Sequence, residues 1–250
     1  LVLASDSNIV KGLVLQDFGD GTPSSNDIAI TITGNNNTVI GCNIGMDIVG
    51  TISGTKTFNG ILITGSNNKI GNATAAGANL ISGMNGDGQG ISIRGTSNKI
   101  QGSIIGLQKD GSTLVGGANQ RWGITINAPS VFGSTSNIIG GNAIGEGNVI
   151  SGAKASVGDS YGIYIYPDIA ALPGNVIAGN IIGPRADGNT YITGNTQKFG
   201  ILIDGSNNNW NKSRSIWMNI SSQNFVIKFE CLCIISVSYT HLTLPTNREV

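Results

Sequence analysis

The sequence predicts an all-β solenoid in which short parallel strands wind into a coil of repeating turns. Two phrases and one imbalance predict it. Gly-Ile-x-Ile begins at Gly60, Gly90, Gly123, Gly162 and Gly200, with AITI at Ala29 as a sixth copy, so the intervals are 31, 30, 33, 39 and 38 residues. Asn-x-Ile-x-Gly or a close variant follows in each unit, at Asn8, Asn37, Asn68, Asn98, Asn137 and Asn175. Glycine supplies 38 of the 250 residues, whereas charged residues supply 11%, well below the usual quarter or so. A fixed period of this length marks a solenoid or an array.

Within Gly-Ile-x-Ile the apolar residues alternate with variable ones, which is the period of a strand with one buried face. No stretch carries a 3.6-residue stripe, so helices are not expected. A unit of about three such strands, separated by turns, returns beside its own start one strand spacing further on, about 4.8 Å. Ile30, Ile61, Ile91, Ile124, Ile163 and Ile201 then form one inward column. Ile32, Ile63, Ile93, Ile126, Ile165 and Ile203 form a second. Burying each such side chain contributes about 1.5–3 kcal/mol, enough for a core without helices.

The corners follow from glycine, which permits positive φ, and from asparagine, which tolerates the same region and bonds local backbone with its amide. Stacked asparagines at Asn37, Asn68, Asn98, Asn137 and Asn175, with Asn8 before them, are expected to hydrogen-bond from coil to coil as a structural ladder. Two unit types alternate. An IG-x4-G turn follows Asn37, Asn98 and Asn175 (IGMDIVG, IGLQKDG, IGPRADG), while NLISG at Asn79 and NVISG at Asn148 occupy the other units. The period is a pair of units.

GILITGSNNKIG, NLISG, GISIRGTSNKIQGSIIG and GIYIYPDIAALPGNVIAGNIIGPRADGNT resemble the right-handed parallel β-helix repeats of the pectate-lyase-like superfamily, in particular the repeat arrays of secreted or surface-attached bacterial proteins. The resemblance implies a right-handed parallel β-helix of about six to seven coils of 30–39 residues, and an extracellular or cell-surface location. It does not choose an activity, because the superfamily includes lyases, hydrolases and adhesins. The paired aspartates typical of β-helix polygalacturonases are missing.

Residues 1–209 form the repeat region. LVLASDSNIV opens it with neither Met nor a leader, as if an array of a longer polypeptide were entered part-way. Residues 210–250 form a non-repeat tail in which no glycine occurs after Gly205. Its end, VSYTHLTLPTNREV, is similar to translated sequencing-adapter tails of environmental open reading frames, and the tail is expected to be disordered or artefactual.

The formal net charge is zero, so no basic surface is set aside for phosphates and nucleic acid is not expected as a partner. No run reaches the roughly 18 apolar residues of a membrane span. Cys42, Cys231 and Cys233 have no zinc-type spacing, and Cys42 reads as a small turn or core residue. The one histidine, His241, lies in the tail, which leaves a His-based triad or metal site without support. GDGT at Gly19, NGDGQ at Asn85 and KDGS at Lys109 are fragments of calcium loops without the full repeat, and read as turns; no cofactor and no metal ligand is assigned.

Outward positions of the Gly-Ile-x-Ile strand supply the candidate site. One column reads Thr33, Thr64, Arg94, Asn127, Tyr166, Asp204; the other reads Thr31, Leu62, Ser92, Thr125, Tyr164, Leu202. Arg94 and Asp204 are three coils apart, roughly 14 Å, too far for concerted chemistry, and no catalytic residue is assigned. Tyr164 and Tyr166 share one face, with Asn127 and Asp204 one coil away and Arg94 in the same column. They are the candidate glycan-binding residues, because aromatic rings offer sugars an apolar face and a polar tip. The competing reading of the pair is aromatic packing that stabilises an exposed sheet. For the chain as a whole two readings stay open: an extracellular structural or adhesive module that binds polysaccharide or a cell-surface glycan, and a polysaccharide lyase or glycoside hydrolase.

Overall fold

The computed structural model describes residues 1–19, 26–54, 56–127, 134–166 and 174–203, and by backbone alone the strands Asn209–Asn211, Ser215–Ile220 and Gln223–Ile227. The chain is a right-handed parallel β-helix. Its first sheet stacks seven strands: Val2–Leu3, Ile28–Ile32, Asn59–Ile63, Gln89–Ile93, Trp122–Ile126, Tyr161–Ile165 and Phe199–Ile203. Each opens one coil, numbered here 1 to 7. The second sheet stacks the Asn-x-Ile segments from Ile9–Lys11 to Asn209–Asn211. The third runs from Val14–Leu15 to Ser215–Ile220 and ends with Gln223–Ile227, which pairs antiparallel. The expected tail begins within these last strands and otherwise lies outside the described residues. Among the described residues no helix is long and apolar enough to cross a membrane.

Register makes the core. Ile61 pairs with Ile91, Ile91 with Ile124, Ile124 with Ile163 and Ile163 with Ile201, and the Ile63 to Ile203 column runs beside it. These isoleucines are buried from coil 2 through coil 6. In coil 7 Ile201 is half-buried and Ile203 is exposed. Ile70, Ile100, Ile139 and Ile177 from the second sheet and Ile44, Ile81, Ile105, Ile150 and Ile182 from the third meet them in one cluster.

One corner carries a hydrogen-bonded ladder. The backbone N–H of Asn8, Asn37, Asn68, Asn98 and Asn137 each donates to the side-chain oxygen of the asparagine one coil above, at 2.8–3.0 Å. The Nδ2 groups of Asn68, Asn98 and Asn137 donate to the same oxygen and also to Gly34, Gly65 and Gly95 carbonyls of the coil below. The glycines let the backbones meet there: a Cβ on Gly95 would lie 1.9 Å from the Gly65 oxygen.

A second ladder climbs the corner before the third sheet. Cys42 N–H donates to Asn79 Oδ1, Ser103 N–H to Asn148 Oδ1, and Asn148 N–H to Asn180 Oδ1, at 2.9–3.0 Å. Asn79, Asn148 and Asn180 return their Nδ2 protons to the carbonyls of Val39, Ile100 and Ile139. These bonds satisfy most of the buried polar groups of the two corners along the axis as well as within each coil, with the Nδ2 of Asn37 left unpaired.

The alternating units differ by a hairpin. Residues 47–52, 108–113 and 185–190 form equivalent turns in coils 2, 4 and 6, each closed by a backbone bond from its first residue to its last. They reach over the intervening coils to touch one another: Lys109 N–H donates to Gly50 O at 3.0 Å and Ala186 N–H to Gly111 O at 2.8 Å. This outboard ridge has a two-coil period.

Candidate functional site

The strand opening each coil does not alternate throughout. Ile124 and Ile126 point inward and Thr125 outward, but Gly123 also faces in: a Cβ there would lie 2.6 Å from Ile150 Cγ2 and 2.5 Å from Gly162 O. Two successive inward positions push the residue before the glycine back to the outer face. Trp122, Tyr161 and Phe199 thus form a third outward column, in register across coils 5 to 7.

That column joins the two expected tyrosines. The rings of Tyr164 and Tyr166 lie 4.0 Å apart with planes 30° from parallel, a separation that only face-to-face contact allows. Tyr161 stacks on Tyr164 at 5.1 Å and on Phe199 at 5.2 Å. Four rings make one continuous stack. The faces that Tyr164 and Tyr166 turn toward each other are occupied, and the strip meets its surroundings through rims, hydroxyls and the exposed side of Phe199, which is 38% exposed. Burial, followed by the neighbouring charge of Asp159, raises the Tyr161 hydroxyl above its ordinary pKa; burial and Tyr164 raise that of Tyr166.

Charged groups line the strand starts beside the rings. Lys198 forms an ion pair with Asp159, and its hydrogen bond holds that carboxyl below the usual carboxylate range against a smaller opposing effect of burial. Arg121 Nε donates to the Asp159 carbonyl at 2.9 Å, and the guanidinium sits 4.6 Å from the Trp122 ring centre. Lys198 Nζ sits 5.4 Å from the Phe199 ring. Three coils in order thus present a cation, an anion and a cation.

The other expected residues are distributed more loosely. Asn127 follows Ile126 at the end of its strand, half-buried, one coil below Tyr166. Arg94 is exposed one coil below Asn127, about 10 Å from Tyr166 by strand spacing. Asp204 lies outside the described residues. Ser92 and Thr125, expected on the open face, are 4% and 1% exposed. Their short side chains lie between the larger Leu62 and Tyr164 of the flanking coils, and Thr125 donates its hydroxyl proton to Gln89 Oε1.

The described carboxylates of the calcium-like phrases are engaged by other protein groups, one across coils and one within its own hairpin. Asp87 accepts the amide and hydroxyl protons of Ser156, both at 2.6 Å. Asp110 accepts from Ser112 and Thr113 within its own hairpin. Asp20 of GDGT lies outside the described residues. Among the described residues no three His, Cys, Asp or Glu side chains gather as a metal site.

Sequence reasoning missed Trp122, Tyr161, Phe199, Arg121, Asp159 and Lys198. Their signal was present as Gln-Arg-Trp-Gly at Gln120 and Gln-Lys-Phe-Gly at Gln197, the same phrase two coils apart. No family model matches the chain, and neither a curated protein nor a solved structure does.

Proposed function

We propose that this chain is a structural and adhesive module of a secreted or surface-attached protein, a stiff β-helical rod that holds glycans on the outer face of its first sheet. The observation that carries the reading is the Tyr166–Tyr164–Tyr161–Phe199 ring stack with Asp159, Lys198 and Arg121 at its edge. Aromatic rims and hydroxyls beside charged donors and acceptors suit sugars, whose surfaces alternate C–H patches with hydroxyls. Two corner ladders bonded across successive coils support the rod: they fix each coil to the next through side chains, in addition to the sheets, and leave a backbone that yields little to force or protease.

The test is a glycan array probed with the intact chain and with the double variant Tyr164→Ala, Tyr166→Ala. Retention of one or more glycans by the intact chain, reduced in the variant at an unchanged melting temperature, supports the reading. Equal retention by both removes the ring stack from it. Ultraviolet-absorbing unsaturated products from pectate or alginate would replace adhesion by a lyase activity.

A further inference from the structure

We infer that the outer face of coils 5 to 7 takes a glycan chain laid along the solenoid axis that carries a carboxylate on every second sugar. The inference rests on the glycan-binding reading above and adds to it a direction and a charge period.

Direction comes from register. Trp122 pairs with Tyr161 and Tyr161 with Phe199, so the apolar strip that these rings make runs across the strands, one ring per coil. A pyranose in an extended chain spans about one coil spacing, so successive sugars meet the rims of successive rings.

Charge period comes from the repeated phrase. Gln120-Arg121-Trp122-Gly123 and Gln197-Lys198-Phe199-Gly200 place a cation just before the aromatic residue on either side of Asp159-Ser160-Tyr161-Gly162, which places an anion there. Arg121 and Lys198 are two coils apart, about 10 Å by strand spacing. Each cation is held against its own aromatic neighbour and against Asp159, so its position is set before any ligand arrives. A carboxylate on the first sugar meets the Arg121 guanidinium, whose remaining N–H groups donate to it, and one on the third sugar meets the Lys198 ammonium. A carboxylate on the middle sugar faces Asp159 and is repelled, whereas a hydroxyl there donates to it. A chain charged on every sugar suffers that repulsion. An uncharged chain offers the two cations only hydroxyls, and forgoes the stronger bond between two charged groups.

The experiment is calorimetric titration of the intact chain with three oligosaccharides of equal length: hyaluronan, charged on alternate sugars; polygalacturonate, charged on all; and a cello-oligosaccharide, charged on none. Hyaluronan is expected to bind about tenfold or more tighter than the other two, with an affinity that falls as salt rises. Arg121→Gln and Lys198→Gln should each weaken hyaluronan several-fold, by about 3- to 10-fold, with melting temperature monitored alongside. Asp159→Asn should narrow the gap between hyaluronan and polygalacturonate. Polygalacturonate binding as tightly as hyaluronan, or indifference of hyaluronan to both cation variants, overturns the alternate-charge inference and leaves glycan binding standing. Failure of all three oligosaccharides, together with an array that retains nothing, defeats the glycan reading itself and this inference with it.

Discussion

The thiol of Cys42 accepts the amide proton of Leu13 across one coil at 3.4 Å, at the ladder step that Asn79 and Asn148 fill with a carboxamide in other coils. Sulfur is a weak acceptor, and the thiol gives its own proton to the Ile40 carbonyl of the same coil at 3.4 Å, whereas Asn79 sends its Nδ2 group to the Val39 carbonyl of the coil below. Cys42 is a weak step of the ladder. Cys42→Asn is expected to stabilise the chain by about 0.5–1 kcal/mol, a rise of roughly 1–4 °C in melting temperature. Cys42→Ala is expected to move it the other way. A melting temperature lowered by the asparagine would show that the site has no room for the carboxamide.

Asn98 makes a sharper case. It is fully buried, its Oδ1 receives two protons from Asn68, and its Nδ2 serves Gly65 and Asn137. Asn98→Ala leaves several buried groups unpaired at about 1–3 kcal/mol each and is expected to cost 3 kcal/mol or more. Asn8, only half-buried, should cost about 1 kcal/mol or less when truncated. Denaturant unfolding of the two variants compares them directly, and equal losses would mean that the ladder adds nothing beyond a local turn.

Glycine substitutions separate close approach from mere flexibility. Gly95→Ala drives a methyl group into the Gly65 carbonyl and is expected to abolish or severely weaken folding. Gly116, with nothing within 4 Å of its added Cβ, should accept alanine with a change of at most about 1 kcal/mol, on the stabilising side. Soluble yield and melting temperature of the pair give the result. A well-folded Gly95→Ala protein would contradict the corner packing.

Acid sensitivity follows from carboxylates held below their ordinary pKa, Asp47, Asp110, Asp159 and Asp187. Amide protons of Ile52 and Thr51 hold Asp47 below its ordinary pKa, the Thr190 hydroxyl and the Asn189 amide do so for Asp187, and Lys198 does so for Asp159. A carboxyl whose folded pKa is depressed adds stability above its unfolded value and loses it as pH falls through the folded one. The melting temperature should therefore stay flat down to about pH 5 and fall below about pH 4, near and under the ordinary carboxylate value. Asp187→Asn should shrink that fall. A decline that begins near pH 6 would point to other groups.

The isoleucine columns and the asparagine corner could be read from the chain because each repeats one residue type at one offset. The second ladder was hidden by chemical variety: Cys42, Asn79, Ser103, Asn148 and Asn180 share a position, and Ser103 and Cys42 break the run of asparagines. Trp122, Tyr161 and Phe199 were hidden by a break in period. Strict alternation sends the residue two before an inward isoleucine to the interior, and only the inward-facing glycine between them reverses it. Of the candidate residues, Tyr164 and Tyr166 were legible as neighbours from their spacing of two. That their rings turn face to face depends on side-chain torsions that no spacing encodes, and Asp159 and Lys198 meet only because their coils stack.

The hairpins that touch across every other coil give the molecule a grammar of length. Excising or inserting one coil would set a Gly50-type carbonyl opposite a coil with no hairpin and strand the amide of Lys109 or Ala186, whereas two coils at a time preserve every contact on that flank. Growth and shrinkage of such a rod proceed in even steps, and a shortened variant made for engineering should be cut at pairs.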